Sequence, residues 1–465
     1  MRARVTSALC DGTSWAGPVD LPLAGEIDVQ AACGLMHVNG RRFGEPRRLD
    51  LNYTCLLATE LGETGAAAVG LARVRGIEVR EVSTSAAQAA LLAVSQYLAS
   101  ATADTPEDIP GPGGAPLVSV EGIGYEVAAV DAAVWRRFWD AMGAGGDAVA
   151  AGWPVFHRRE HTATCPLPAE LTLLAARTAI DRAEHCARST GMGLVRVAHR
   201  PIDDLAPYAA HPLGGPATDL RKVPGPLPLS GLRVVECCRR DHGAMAGHLL
   251  GFLGATVVRV EPPAEHPPGG VPLVGGVPAR EHALNRGKRV VVADATTPAG
   301  RAAIGHLVAD ADVFTHDWPP GRAEAWALDA DALAGVRPGL VHAHATDWGS
   351  ALGPWPPHGS DPVVQAHAGV PPTLMTVVAV FAGVVLTRAI TTALVRRVEH
   401  RTGRRVESSL LAAAARLNAR RGACATPLSV PVCTDLAALG TDPRFAKALT
   451  RDGCVVPTSP WAFHP

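Results

Sequence analysis

The chain has 465 residues, of which 47% are apolar and 19% charged, with 43 Lys and Arg against 44 Asp and Glu. This composition excludes a disordered chain, and a net charge of −1 excludes general attraction to nucleic acid or to an anionic membrane surface. The length suits two or three domains with more than one core, so partners have to be recognised by local sites.

The first residues, MRARVTSALCDGTSWAG, lack the apolar core of a signal peptide. Ten cysteines lie at positions 10, 33, 55, 165, 186, 237, 238, 424, 433 and 454, with no Cys-x-x-Cys pair. They read as buried or unbridged thiols of a reducing compartment, which implies a cytoplasmic protein.

The next signal is an internal repeat. DVQAACGLM (Asp28 to Met36) is echoed by VVQAHAGV (Val363 to Val370), and GLARVRGIEVREVSTSAAQAALLA (Gly70 to Ala93) by ALVRRVEHRTGRRVESSLLAAAA (Ala393 to Ala415). Each copy reads as an Ala/Gly/Val-rich helix, a basic turn, a short strand, and a Ser opening another Ala/Leu helix. Gln30 to Ser85 spans 55 positions and Gln365 to Ser409 spans 44, so the second copy is 11 residues shorter.

Between the copies, TPEDIPGPGGAP reads as a linker and VDAAVWRRFWDAMGA as an amphipathic helix. A helical pattern follows from Pro168 to Thr190, then a short strand in GLVRVAHRP. A second connector is expected from His211 to Gly231. Beyond it the pattern alternates. LRVVEC, TVVRVE (Thr256 to Glu261), RVVVAD (Arg289 to Asp294), DVFTHD and LVHAHATD read as strands. Helices fall at Ala244 to Leu253, after the Thr cap and Pro298 of TTPAGR, and around Ala323 to Val336. Such alternation implies a parallel sheet with crossover helices. The stretch LMTVVAVFAGVVL (Leu374 to Leu386) is apolar for 14 residues before Arg388, short of the roughly 20 that a membrane span needs, so a core helix is expected.

Three patterns carry chemistry. Glu261 ends the second strand of a βαβ unit, where an acid could bind a ribose, but the turn RRDHGAMAG has no Gly-x-Gly-x-x-Gly to cradle a pyrophosphate. HRREH (His157 to His161) fits His-x-x-Glu-His, with both histidines on one helix face and Cys165 nearby. No third metal ligand is distinctive, and a solvated polar turn explains it as well. In LNRGKRVVVAD, Arg286, Lys288 and Arg289 surround a glycine before a strand, a cluster able to hold a phosphate.

Seven motifs in order, PLSGLRVVEC, GAMAGHLLGFLGATVVRVEPP, LNRGKRVVVADATTPAGR, LVADADVFTHDWPPGR, LVHAHATDWGSALGPW, DPVVQAHAGV and HRTGRRVESSLL, resemble the class III CoA transferase family. That family includes formyl-CoA transferase, carnitine CoA transferase and α-methylacyl-CoA racemase. The likeness covers about Pro228 to Leu411, and PVCTDLAALGTDPRFAKAL resembles the family's closing segment. It implies an α/β fold with a parallel Rossmann-like sheet, crossover helices, a smaller α+β domain and long helices. Two partial copies then share the chain: 1–100 as a first copy of the central helices, 101–222 as the small domain, 223–420 as the CoA-binding domain with the second copy, and 421–465 as the closing segment.

The resemblance also implies coenzyme A as substrate, no metal, an acyl-CoA and a small carboxylic acid as partners, and a homodimer. Neither nucleic acid nor membrane is expected to bind. By position, Arg259, Arg286, Lys288 and Arg289 become expected CoA contacts. A family arginine is replaced by Pro319, with Arg322 nearby to take its role. The family's nucleophile is an Asp four residues before a Gly at the start of the long helix. Here that Gly is Gly383 and the nucleophile's place is Ala379, with no acid between Asp361 and Glu399. In the first copy the matching place is Cys55, with Asp50 and Asn52 close. Asp50 or Cys55 is therefore the expected catalytic group of a CoA transferase. The alternatives are an acyl-CoA racemase using Asp and His, and a CoA-binding homologue without the family's chemistry.

Overall fold

The computed structural model describes residues 5–6, 14–105, 107–114, 116–217, 225–263, 271–353, 356–419 and 428–465. Cys10, Cys424, most of the N-terminal stretch, Pro106 and Ala115 of the first connector and residues 218–224 of the second lie outside the described residues.

The alternating half forms a seven-stranded sheet in the order Arg289–Val292, Thr256–Glu261, Arg233–Cys237, Val313–His316, Val341–Thr346, Thr402–Ser409, Ala209–Pro216. The first six strands run parallel, and Ala209–Pro216 joins antiparallel at the edge. The second connector expected from the sequence thus begins as an edge strand. Its Pro and Gly residues are tolerated there because an edge strand has one row of backbone groups with no ladder partner to lose. Apolar runs such as Val234, Val235, Val257 and Phe314 are buried, as both faces of a parallel sheet require.

From Arg233–Cys237 the chain moves to one side of the sheet, then returns to Val313–His316 on the other side. This reversal leaves a crevice at the carboxyl ends of the strands, where open α/β sheets bind ligands. The small domain has its own antiparallel sheet of Leu117–Val118, Gly124–Ala128 and Gly193–Arg196. Trp135, Phe138, Trp139 and Leu171 pack a separate core against it. The helical run expected from Pro168 to Thr190 is two helices, Ala169–Arg177 and Ile180–Thr190, broken at extended Thr178.

The apolar stretch opens the helix Val377–His400, which is long and apolar enough to cross a membrane but is largely buried inside the protein. It packs against the helices Tyr53–Arg75 and Asp241–Phe252. Arg388 ends the apolar run but not the helix, because Glu60 (2.6 Å) and Glu63 pair with its guanidinium. The core helix expected there is consequently longer than its apolar run.

The two echoing segments form matching local structures. Gln30 accepts a bond from the Leu49 N–H and Gln365 one from the Thr373 N–H, both at 2.8 Å. Tyr53–Arg75 and Val377–His400 open from caps with nearly the same dihedrals (φ −77°, ψ 53° at Asn52; φ −78°, ψ 47° at Thr376). Ser85 and Ser409 cap the next helices by accepting from the N–H three residues on. The pairs Leu49/Thr373, Cys55/Ala379 and Ser85/Ser409 share one offset of 324 (379 − 55). The 11-residue difference therefore lies between each Gln and its helix, 19 positions in the first segment and 8 in the second.

Candidate functional site

A cavity of about 260 Å³ lies between the small domain, the parallel sheet and the helix Ala279–Asn285. Four arginines line it, Arg158, Arg239, Arg259 and Arg280, facing Asp241 and Glu281 among others. Arg259 comes from the strand Thr256–Glu261 and Arg280 from the first turn of its helix. Both are more than nine-tenths buried. Arg259 pairs with Glu261 (3.0 Å) and Glu281 (2.8 Å), and Arg280 with Asp241 (3.5 Å) while its guanidinium stacks on Tyr97. Even so, Nη1 of each makes no hydrogen bond among the described residues. A buried guanidinium N–H without an acceptor is costly, so two of them beside one cavity mark a place for an anion.

Behind the cavity lies the corner where the resemblance puts its nucleophile. Ala379 is buried, and its N–H donates to Asp361 Oδ2 at 2.7 Å. Asp361 Oδ1 accepts from Gln365 Nε2 at 2.5 Å. Burial pushes the Asp361 carboxyl up to about 8, with Glu160 and Asp241 adding to the effect. Glu160, from the single turn Arg159–Thr162, accepts the Asp361 N–H, and its pKa is raised by burial. His161 lines the cavity and is pushed down to about 3, by burial first and then by Arg280, so it is neutral there.

The first segment builds the same cradle with Glu26. Its carboxylate accepts from Gln30 (2.8 Å), from the Thr54 N–H and hydroxyl (2.9 and 2.7 Å) and from the Cys55 N–H (2.9 Å). Cys55 and Ala379 hold equivalent places, each with its N–H bonded to a buried carboxylate. Cys55 is 3% exposed and is not among the cavity-lining residues. Asp50 is on the surface, paired with Arg48 at 3.3 Å. The geometry therefore brings neither expected catalytic residue to the cavity.

Of the expected CoA contacts, only Arg259 lines the cavity. The Lys288 side chain is almost wholly buried beside Glu236, and its Nζ donates to both Glu236 oxygens (2.9 and 2.8 Å), to Ala244 O (2.7 Å) and to Asn285 Oδ1 (2.8 Å). An ammonium has three protons, so none remains for a phosphate. Arg286 donates to the Pro457 carbonyl and stacks on Phe252, while Arg289 is exposed on the edge strand. Arg322 lies over Trp326, and Pro319 lines a second cavity of about 490 Å³ with His316, His344 and Arg405. There His344 is engaged by Trp318 O (2.9 Å) and Glu407 (3.8 Å).

The His-x-x-Glu-His pattern does not share a helix face. The helix Gly146–His157 ends at its first histidine, which stacks on Trp153, and His161 belongs to the next turn. Among the described residues no group of three His, Cys, Asp or Glu side chains could hold a metal ion. Glu261, the ribose candidate, is paired with Arg259. Sequence reading missed Arg280, Asp241 and Glu160. Asp241 sits inside RRDHGAMAG and Glu160 inside HRREH, two stretches weighed for other ligands.

Residues 229–426 match the family model CoA-transferase family III. The chain is 31% identical over 205 residues to succinate–glutarate CoA-transferase of Agrobacterium fabrum, covering 40% of this chain and 51% of that one. It is 29% identical to human succinyl-CoA:glutarate CoA-transferase, covering 34% of this chain and 36% of the other. A crystal structure of a CAIB/BAIF family protein from Brucella suis is 30% identical, with a TM-score of 0.38, covering 41% of this chain and 55% of that one. The chain thus spans about half the length of the first of these relatives. The segment that carries Asp241, Arg259, Arg280 and Ala379 belongs to CoA-transferase family III.

Proposed function

We propose that this protein binds coenzyme A in the arginine-lined cavity and moves it, in the cytoplasm, between an acyl-CoA and a carboxylic acid. The observation that carries the reading is the pair of buried arginines, Arg259 and Arg280, each with Nη1 unpartnered among the described residues. Charge-assisted bonds to a phosphate or carboxylate would satisfy both. Arg158 and Arg239 add positive charge to the same lining. Arg259 remains the expected CoA contact, and Arg280 joins it. The relatives named above act on succinate and glutarate, so short dicarboxylic acids are the first substrates to try.

The test combines calorimetric titration with CoA and mass-spectrometric detection of glutaryl-CoA formed from succinyl-CoA and glutarate. Saturable CoA binding with exchange supports the reading, and absence of CoA binding removes it. A second reading, CoA binding without turnover, is favoured by Ala379 standing in the nucleophile's place. It predicts binding with no exchange for any acid supplied.

A further inference from the structure

The CoA-transfer reading needs a carboxylate that can meet a thioester, and Ala379 cannot supply one. The described carboxylates around this corner differ in what they can reach. Asp361 is 2% exposed and both its oxygens are engaged. Glu160 accepts the Asp361 N–H, lies 3.6 Å from Arg159, and is not among the cavity-lining residues. Asp241 does line the cavity, with a third of its side chain exposed.

Asp241 opens the helix Asp241–Phe252, which presses directly on the catalytic corner. A Cβ placed on Gly383, one turn beyond Ala379, would come within 2.7 Å of the Met245 side chain and 2.9 Å of the His242 carbonyl. The two helices therefore touch almost backbone to backbone one turn beyond the place where the family nucleophile would stand. Asp241 is also close enough to Asp361 and Glu160 to act electrostatically on both. Independently, the Arg280 partner of Asp241 has its Nη1 buried and unpartnered among the described residues beside the same cavity, so a ligand anion is expected within reach.

The geometry points to Asp241 as the acyl-accepting carboxylate of this chain, displaced from the long helix to the start of the neighbouring one. This rests on the CoA-transfer reading. An Asp241 carboxylate oxygen adds to the thioester carbonyl carbon, the C–S bond breaks, and its electron pair leaves with sulfur as CoA thiolate. The product is an acyl–aspartyl anhydride. The thiolate then adds to the Asp241 side-chain carbonyl carbon, releasing the first acid as its carboxylate and leaving an aspartyl-CoA thioester. The incoming carboxylate runs both steps in reverse, forming its own CoA thioester and restoring Asp241. Neither oxidant nor net proton is consumed.

The test uses the full chain and its Asp241→Asn variant with succinyl-CoA and glutarate. The unaltered protein should carry a CoA adduct on the peptide containing residue 241, and borohydride should reduce it to homoserine at that position. The variant should bind CoA about as well as the unaltered protein, carry no adduct, and lose exchange by on the order of a thousandfold or more. An adduct on another residue, or a variant that keeps most of its exchange or loses CoA binding, would overturn the assignment. If the unaltered protein binds CoA yet shows neither adduct nor exchange, Asp241 is no nucleophile while CoA binding stands. If CoA does not bind at all, both readings fall.

Discussion

Replacing Lys288 by Met tests whether the basic cluster is a ligand site or a structural one. Lys288 Nζ bonds both oxygens of Glu236, and the two side chains are 2% and 0% exposed. Met preserves most of the side chain's volume, so the principal loss is the charge partner. A buried carboxylate left without its cation costs roughly 3–5 kcal/mol. Burial already raises the Glu236 pKa, and without Lys288 it rises further. A carboxyl raised in the folded state stabilises fully below its unfolded value of about 4.3 and loses that stability as pH climbs through the folded value. The variant should therefore be close to the unaltered protein near pH 5 and clearly weaker near pH 8, while binding CoA with little change at low temperature. Adding Glu236→Gln should recover much of the loss. Thermal melts at three pH values and CoA titration supply the readouts. Unchanged melting at every pH together with weakened CoA binding would refute the structural assignment and return Lys288 to the phosphates.

The remaining expectations concern the cavity and its supports. Arg259→Ala and Arg280→Ala should each weaken CoA binding by about 10- to 150-fold, the equivalent of one charged hydrogen bond of roughly 1.5–3 kcal/mol, and calorimetry showing less than a twofold change in both would contradict the site. Gly247 faces the buried ion pair, where a Cβ would lie 1.6 Å from Glu236 Oε2, so Gly247→Ala should cost roughly 1–3 kcal/mol in urea unfolding, whereas gain of stability from better helix propensity would contradict the packing. The Asp361 carboxyl is pushed up to about 8 by burial, so its contribution to stability declines as pH rises from about 4 through 8. Asp361→Asn should flatten the fall in melting temperature over that range, and an unchanged slope would count against a protonated Asp361.

The family motifs, the parallel α/β half and the echo of the first segment in the second were all legible in the sequence. Alternating apolar strands and capped helices are local patterns, so Thr256–Glu261 appears where its residues alone predict it. That an alanine, Ala379, stands four residues before Gly383 was equally local, since it needed only a count along the chain. Charged residues behaved differently. Arg286, Lys288 and Arg289 look alike in sequence, yet Lys288 is bound by Glu236, 52 positions earlier, and Arg286 by the Pro457 carbonyl.

What a charged side chain can do depends on which partner satisfies it, and that partner is brought near by the fold rather than by spacing. For the same reason Arg280, in the helix Ala279–Asn285, has a buried N–H that is unpartnered among the described residues. Asp241, inside a turn that lacks the glycines of a dinucleotide site, lines the same cavity. The sequence by itself determined the segment that matches CoA-transferase family III and the absence of any Asp or Glu between Asp361 and Glu399. Only the tertiary structure decided which arginines face the cavity and which carboxylates stand beside them, because those pairings join the small domain, the sheet and two helices that are far apart along the chain.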